Sequence, residues 1–184
     1  MARATVITNI IERKRTYQWP EAQLNFWLII MLAASATITG IFAYFLSVQN
    51  QFRVSSPWLF PYSVATGSLG ILFILIILGL IAQRQLLPGI VMLGSFILFV
   101  LFLTGLIETS IQLYGPTGSV NSYCNIYTPS TGYTSGQGQA TLAYLETQGI
   151  CNDWKAVFSF YIVGSVFLLW MMVMSYQVNR DDFE

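Results

Sequence analysis

Few side chains in this 184-residue sequence have the means to do chemistry. There is no histidine, which excludes bis-histidine haem, histidine-ligated zinc and histidine-based catalytic triads. What remains is two cysteines, Cys124 and Cys151, and one acid, Glu108, within an otherwise uncharged apolar run. Glu108 lies at i+4 from Thr104 and Gln112 at i+8, so the three share one helix face. Such a stripe could form part of a proton or ion path. The alternative is that Glu108 anchors the ends of helices, paired with Lys155 or Arg53. Two cysteines without histidine make a poor metal site, and no metal or cofactor is expected. With Glu108 the sole acid at that depth, no acid–base pair can be assembled there, and enzymatic activity is not expected.

The elements that carry these residues follow from composition. Hydrophobic residues make up 55% of the chain and charged residues 9%, whereas a soluble domain carries about 25% charge. Eight basic and eight acidic residues cancel, so nothing supports nucleic-acid binding through a basic surface. A helix needs about 20 apolar residues to cross a bilayer, and four stretches qualify: about 26–48, 62–82, 89–112 and 156–178. Runs such as Ile71 to Leu78 do not alternate in polarity, which excludes the short alternating strands of a membrane barrel. The expected fold is an all-α integral membrane domain over residues 1–184, a four-transmembrane-helix bundle.

Basic residues orient it. Arg3, Arg13, Lys14, Arg15, Arg84 and Arg180 fall on one side, and Arg53 and Lys155 on the other. The positive-inside rule then puts both termini in the cytoplasm. Within residues 1–20, Val6, Ile7, Ile10 and Ile11 recur at helical spacing beside basic residues, as in a short amphipathic helix on the inner leaflet; a disordered tail is the alternative. The first outer loop, about 49–61, carries Phe52, Trp58 and Phe60 and reads as an aromatic belt. The tail, 179–184, is short and polar.

The long outer loop, 113–155, divides in two. Its first half, rich in Gly, Ser, Thr, Tyr and Pro, predicts turns or extended chain. Residues 140–146 predict a helix, with Gly149 placed to stop it. Cys124 and Cys151 flank this unit on the oxidising side, so a disulfide is the economical reading, with two free thiols as the alternative. In the chain-entropy account, closing such a loop stabilises by about 3.5 kcal/mol.

Small residues mark candidate packing seams at Ala36-x-x-x-Gly40 and Thr66-x-x-x-Gly70, since close backbone approach is how membrane helices associate. They are expected to pack within the bundle rather than against another protein. Val173, Tyr176 and Arg180 match the loose cholesterol-contact pattern; an ordinary span end with interfacial anchors is the alternative.

Two outer-loop families fit poorly. The Cys-Cys-Gly motif of tetraspanins and the first-loop Trp and Cys signature of claudin-like proteins are both missing. In length, span number, short inner hairpin and the run Cys151-Asn152-Asp153-Trp154-Lys155-Ala156-Val157-Phe158-Ser159-Phe160, the chain resembles MARVEL-type four-helix proteins, including small fungal plasma-membrane members. The resemblance implies a non-enzymatic role in membrane microdomains, traffic or cell-surface assembly, at the plasma membrane or in the secretory pathway. Its partners would be membrane lipids, sterol among them, and other membrane proteins or further copies of itself. Two other functions fit the same composition: an accessory subunit of a larger membrane enzyme, pump or synthase, and a small channel or transporter using Glu108.

Overall fold

The computed structural model describes residues 21–52, 57–83, 88–116, 119–127 and 139–181. The chain is an all-α integral membrane protein. Four helices long and apolar enough to cross a bilayer hold its mass: α1 (Glu21–Phe52), α2 (Leu59–Ala82), α3 (Pro88–Tyr114) and α5 (Gln139–Asp181). A short α4 (Val120–Tyr127) lies between α3 and α5. Each of the four expected spans falls inside one of the long helices. The amphipathic segment expected over residues 1–20 lies outside the described residues.

Helix boundaries follow local chemistry. Pro88 opens α3 at the first helical position, where a missing N–H costs nothing. Pro61 sits in the first turn of α2, where it is likewise tolerated. Antiparallel neighbours go round in the order α1, α2, α3, α5 and back to α1, with α1–α3 and α2–α5 on the diagonals. Buried positions recur at steps of three and four, as in Val91, Ser95, Leu98, Phe102, Gly105, Thr109 and Leu113 on α3. That period is the knobs-into-holes seam of a left-handed bundle.

Two pairs are close and two are looser. In the α1–α2 pair, a Cβ added at Gly67 would run into Thr39 Oγ1 and sit 2.9 Å from the Ser35 carbonyl. At Gly70 the Ser35 hydroxyl is the nearest group, 2.5 Å away. In the α3–α5 pair, Gly105 receives the Tyr161 ring, which would lie 2.6 Å from a Cβ there. The looser pairs are also tied by hydrogen bonds. The Trp27 indole N–H donates to the Phe167 carbonyl (2.8 Å), tying α1 to α5. The Tyr62 hydroxyl donates to the Leu101 carbonyl (2.9 Å), tying α2 to α3.

Three expectations are corrected here. The first half of the long loop contains α4, because the Ser119 hydroxyl accepts from the Ser122 N–H (3.3 Å) as a helix cap does. Gly149 does not stop a helix, and α5 runs unbroken for 43 residues. A glycine inside a helix costs only about 1 kcal/mol, and Cys151 and Trp154 are buried immediately beyond it, holding the helix in place. The first outer loop is also shorter than 49–61, and Phe60 leaves the expected belt for the core.

The small-residue seams separate cleanly. Thr66 and Gly70 pack inside the bundle as expected. Ala36 and Gly40 do not: both are exposed, and a Cβ at Gly40 would meet nothing within 4 Å. Ser35 and Thr39 hold the α2-facing edge of α1, and Ala36 and Gly40 lie on the exposed side. Gly67→Leu should therefore destabilise the protein by about 2 kcal/mol or more, whereas Gly40→Leu should stay within about 0.5 kcal/mol. Thermal unfolding in mild detergent checks both, and an equal loss from the two would contradict this packing.

Candidate functional site

The most highly organised place in the molecule is the end of the bundle that carries α4. There Phe42 and Phe45 of α1, Phe60 of α2 and Trp154 of α5 form a cluster in which every ring touches every other. Centroid separations run from 5.5 Å for Phe42–Phe60 to 6.1 Å for Phe60–Trp154. Phe45 and Trp154 stack at 6.0 Å, and Phe42 meets Trp154 edge-on at 6.0 Å. All four are buried. Aromatic pairs of this kind contribute about 0.5–1.5 kcal/mol each beyond the area they bury.

One turn above Trp154 on α5, Cys151 is joined to Cys124 of α4, with Cα atoms 6.0 Å apart and the two cysteines 27 positions apart in sequence. Both cysteines are buried, and α4 packs on both α3 and α5. The disulfide expected from the sequence is thus present, and it fastens a cap directly onto the aromatic cluster. Sequence reasoning identified the bridge but missed the cluster, whose members are scattered over three helices. The signal available was Trp154 at three residues from Cys151, which places both on one helix face.

Below the cluster the axis is filled. Tyr161 fits between Gly105 and the Phe102 ring (5.6 Å), and Phe102, Leu168 and Met171 continue the packing toward the other end. The hydroxyls of Tyr161 and Ser63 face each other across the bundle without reaching hydrogen-bond geometry.

The polar stripe does not point at this axis. Thr104 is exposed and donates back to the Val100 carbonyl (2.9 Å). Glu108 is half-buried and accepts from the Gln112 amide nitrogen at 3.3 Å. Among the described residues Glu108 makes no ion pair with Lys155, and Arg53 lies outside them. The face of α3 that enters the core is the adjacent one, carrying Phe102, Gly105 and Thr109.

Val173, Tyr176 and Arg180 all face outward from α5, with Val173 and Tyr176 more than half exposed. No group of three or more metal-ligating side chains occurs among the described residues. Comparison of the chain with protein families, with curated proteins and with solved structures gives no match.

This arrangement makes two substitutions informative. Cys151→Ser should cost about 3.5 kcal/mol by freeing α4, and Trp154→Ala about 3–5 kcal/mol by emptying the cluster. Thermal unfolding under non-reducing conditions reads both. Retention of wild-type stability by either variant would show that the cap and the bundle are not coupled.

Proposed function

We propose that this chain is a non-enzymatic four-helix membrane protein that organises the lipids and proteins around it, at the plasma membrane or in the secretory pathway. The observation that carries this reading is the contrast between the inside and the outside of the bundle. Inside, Phe42, Phe102, Trp154 and Tyr161 fill the axis. Outside, large apolar side chains such as Leu93, Phe96, Trp170 and Val173 are exposed on the bundle surface. The outward surface is therefore where this protein acts. The likeness to MARVEL-type proteins in length, spans and the Cys151–Phe160 run supports a role in microdomains or traffic. The distribution of basic residues supports placing both termini in the cytoplasm, with the disulfide-fastened cap on the opposite, oxidising side.

One observation favours a second reading, an accessory subunit bound to a larger membrane protein. Ala33, Ala36, Gly40, Ala43 and Ser47 form a stripe of small side chains on the outward face of α1, flanked by the exposed Ile29, Leu32 and Tyr44, the kind of surface against which another helix can pack closely. A transport role through Glu108 has less support, because the carboxylate stands beside the filled axis rather than on it.

Extraction in mild detergent, followed by sizing and mass spectrometry, separates the first two readings. Homo-oligomers or protein–lipid particles without a fixed protein partner are expected. One large partner in constant ratio would make the accessory-subunit reading the better one. Reconstituted vesicles are expected to show no ion or proton flux that Glu108→Gln abolishes; such a flux would establish the transport role.

A further inference from the structure

Glu108 gains a setting when the contacts between α2 and α3 are followed along the pair. Phe73 of α2 packs against Gly94 of α3, and further along the Tyr62 hydroxyl bonds the Leu101 carbonyl at 2.9 Å. Gly94, Leu101 and Glu108 are separated by successive heptads, so they lie on one edge of α3, the edge that faces α2. The helices are antiparallel. Moving along α3 from Gly94 through Leu101 to Glu108 therefore means moving along α2 from Phe73 through Tyr62 toward Trp58. Trp58 lies one turn before Tyr62 and meets its ring edge-on at 5.6 Å, yet it stays 56% exposed. Heptad spacing thus puts Glu108 two turns beyond Leu101, level with Trp58 at the open end of the α2–α3 crevice.

Their chemistry is complementary to one kind of group. The Gln112 amide engages one carboxylate oxygen of Glu108 and steadies it. Tyr62 and Trp58 add two electron-rich rings. A carboxylate beside aromatic faces at a membrane boundary is suited to an ammonium group, which is attracted both by the charge and by the ring quadrupoles. Toward the bilayer centre the same crevice is lined by exposed apolar side chains, Leu69 and Ile76 on α2 and Ile97 on α3. α2 and α3 pack less closely than α1–α2 or α3–α5, so an acyl chain has a place to lie along them. An ammonium carried directly above acyl chains is the head of a zwitterionic phospholipid.

We propose that the α2–α3 crevice is a binding site for a phospholipid with a choline or ethanolamine headgroup. The ammonium is held by Glu108, Trp58 and Tyr62, and an acyl chain lies over Leu69, Ile76 and Ile97. This site requires only that the chain spans a bilayer, so it stands apart from the organiser reading, which the co-purification experiment tests separately.

The full-length protein, reconstituted in bilayers of equal phosphatidylcholine and phosphatidylglycerol, is released into mild detergent. Native mass spectrometry then counts the lipids it retains. Wild type is expected to retain phosphatidylcholine over phosphatidylglycerol by about five-fold. Glu108→Gln, which keeps shape and hydrogen bonding but removes the charge, should bring the ratio to parity. Trp58→Leu, which keeps an apolar side chain beside Tyr62 but removes the electron-rich ring, should lower it by about half or more. Thermal unfolding of both variants should match wild type, which separates loss of the site from loss of the fold. Equal retention of the two lipids by wild type would overturn the proposal, as would a preference that survives Glu108→Gln. Displacement of the lipid by millimolar choline chloride would overturn it too, by showing that the headgroup alone is what binds.

Discussion

Lipid gives apolar helices no hydrophobic reason to meet, so everything in this bundle depends on how closely the backbones can approach. Where the sequence supplies glycine opposite a space that must be shared, the helices close up. Gly67 and Gly70 admit α1, and Gly105 and Gly164 admit Tyr161 and Phe102. Across the other two interfaces, α1–α5 and α2–α3, the Trp27 indole and the Tyr62 hydroxyl reach to a carbonyl of the neighbouring helix, and Gly94 of α3 also receives the Phe73 ring of α2. Such bonds are worth about 0.6 kcal/mol on average in a membrane protein. The bundle is therefore two strong pairs, α1–α2 and α3–α5, held to each other by lighter ties and by the aromatic cluster at one end.

Hydroxyl groups follow a related logic. Thr37, Ser68, Thr104 and Ser159 lie on exposed faces, and each returns its hydroxyl to the carbonyl one turn back in its own helix. Lipid would leave them unsatisfied, and the helix backbone is the partner always within reach. Thr39, Thr109 and Ser165 do the same on inward or flanking faces. Ser35 and Ser63 serve a different purpose, being small enough to let a neighbour in. Ser35 sits against Gly70, and Ser63 opposite Tyr161.

The parts legible in the sequence were those set by one-dimensional physics. Span number and position follow from the length of apolar runs, and the Cys124–Cys151 bridge from there being two cysteines on one side of the membrane. Thr66-x-x-x-Gly70 read correctly as a seam, whereas Ala36-x-x-x-Gly40 has the same spacing and faces away. Spacing says that two small residues share a face; which face turns inward depends on the other three helices. The same limit hid the cluster of Phe42, Phe45, Phe60 and Trp154, which exists only once three helices are assembled. Gly149 was misread for another reason. A helix-stop signal competes with what holds the helix on either side, and here the buried Cys151 and Trp154 prevail.

The unbroken course of α5 has a mechanical side. At about 1.5 Å per residue its 43 residues make a rod about 65 Å long, roughly twice the thickness of a hydrocarbon core. The disulfide and the Trp154 cluster grip it at one level, and about 18 Å of helix, from Gln139 to Cys151, extends past that grip. Below the grip, Tyr161 against Gly105 and the Trp27 bond to the Phe167 carbonyl brace the rod along the bundle. A sideways push on the Gln139 end is therefore taken up at the cap and in the braced bundle beneath it, rather than passed across the bilayer.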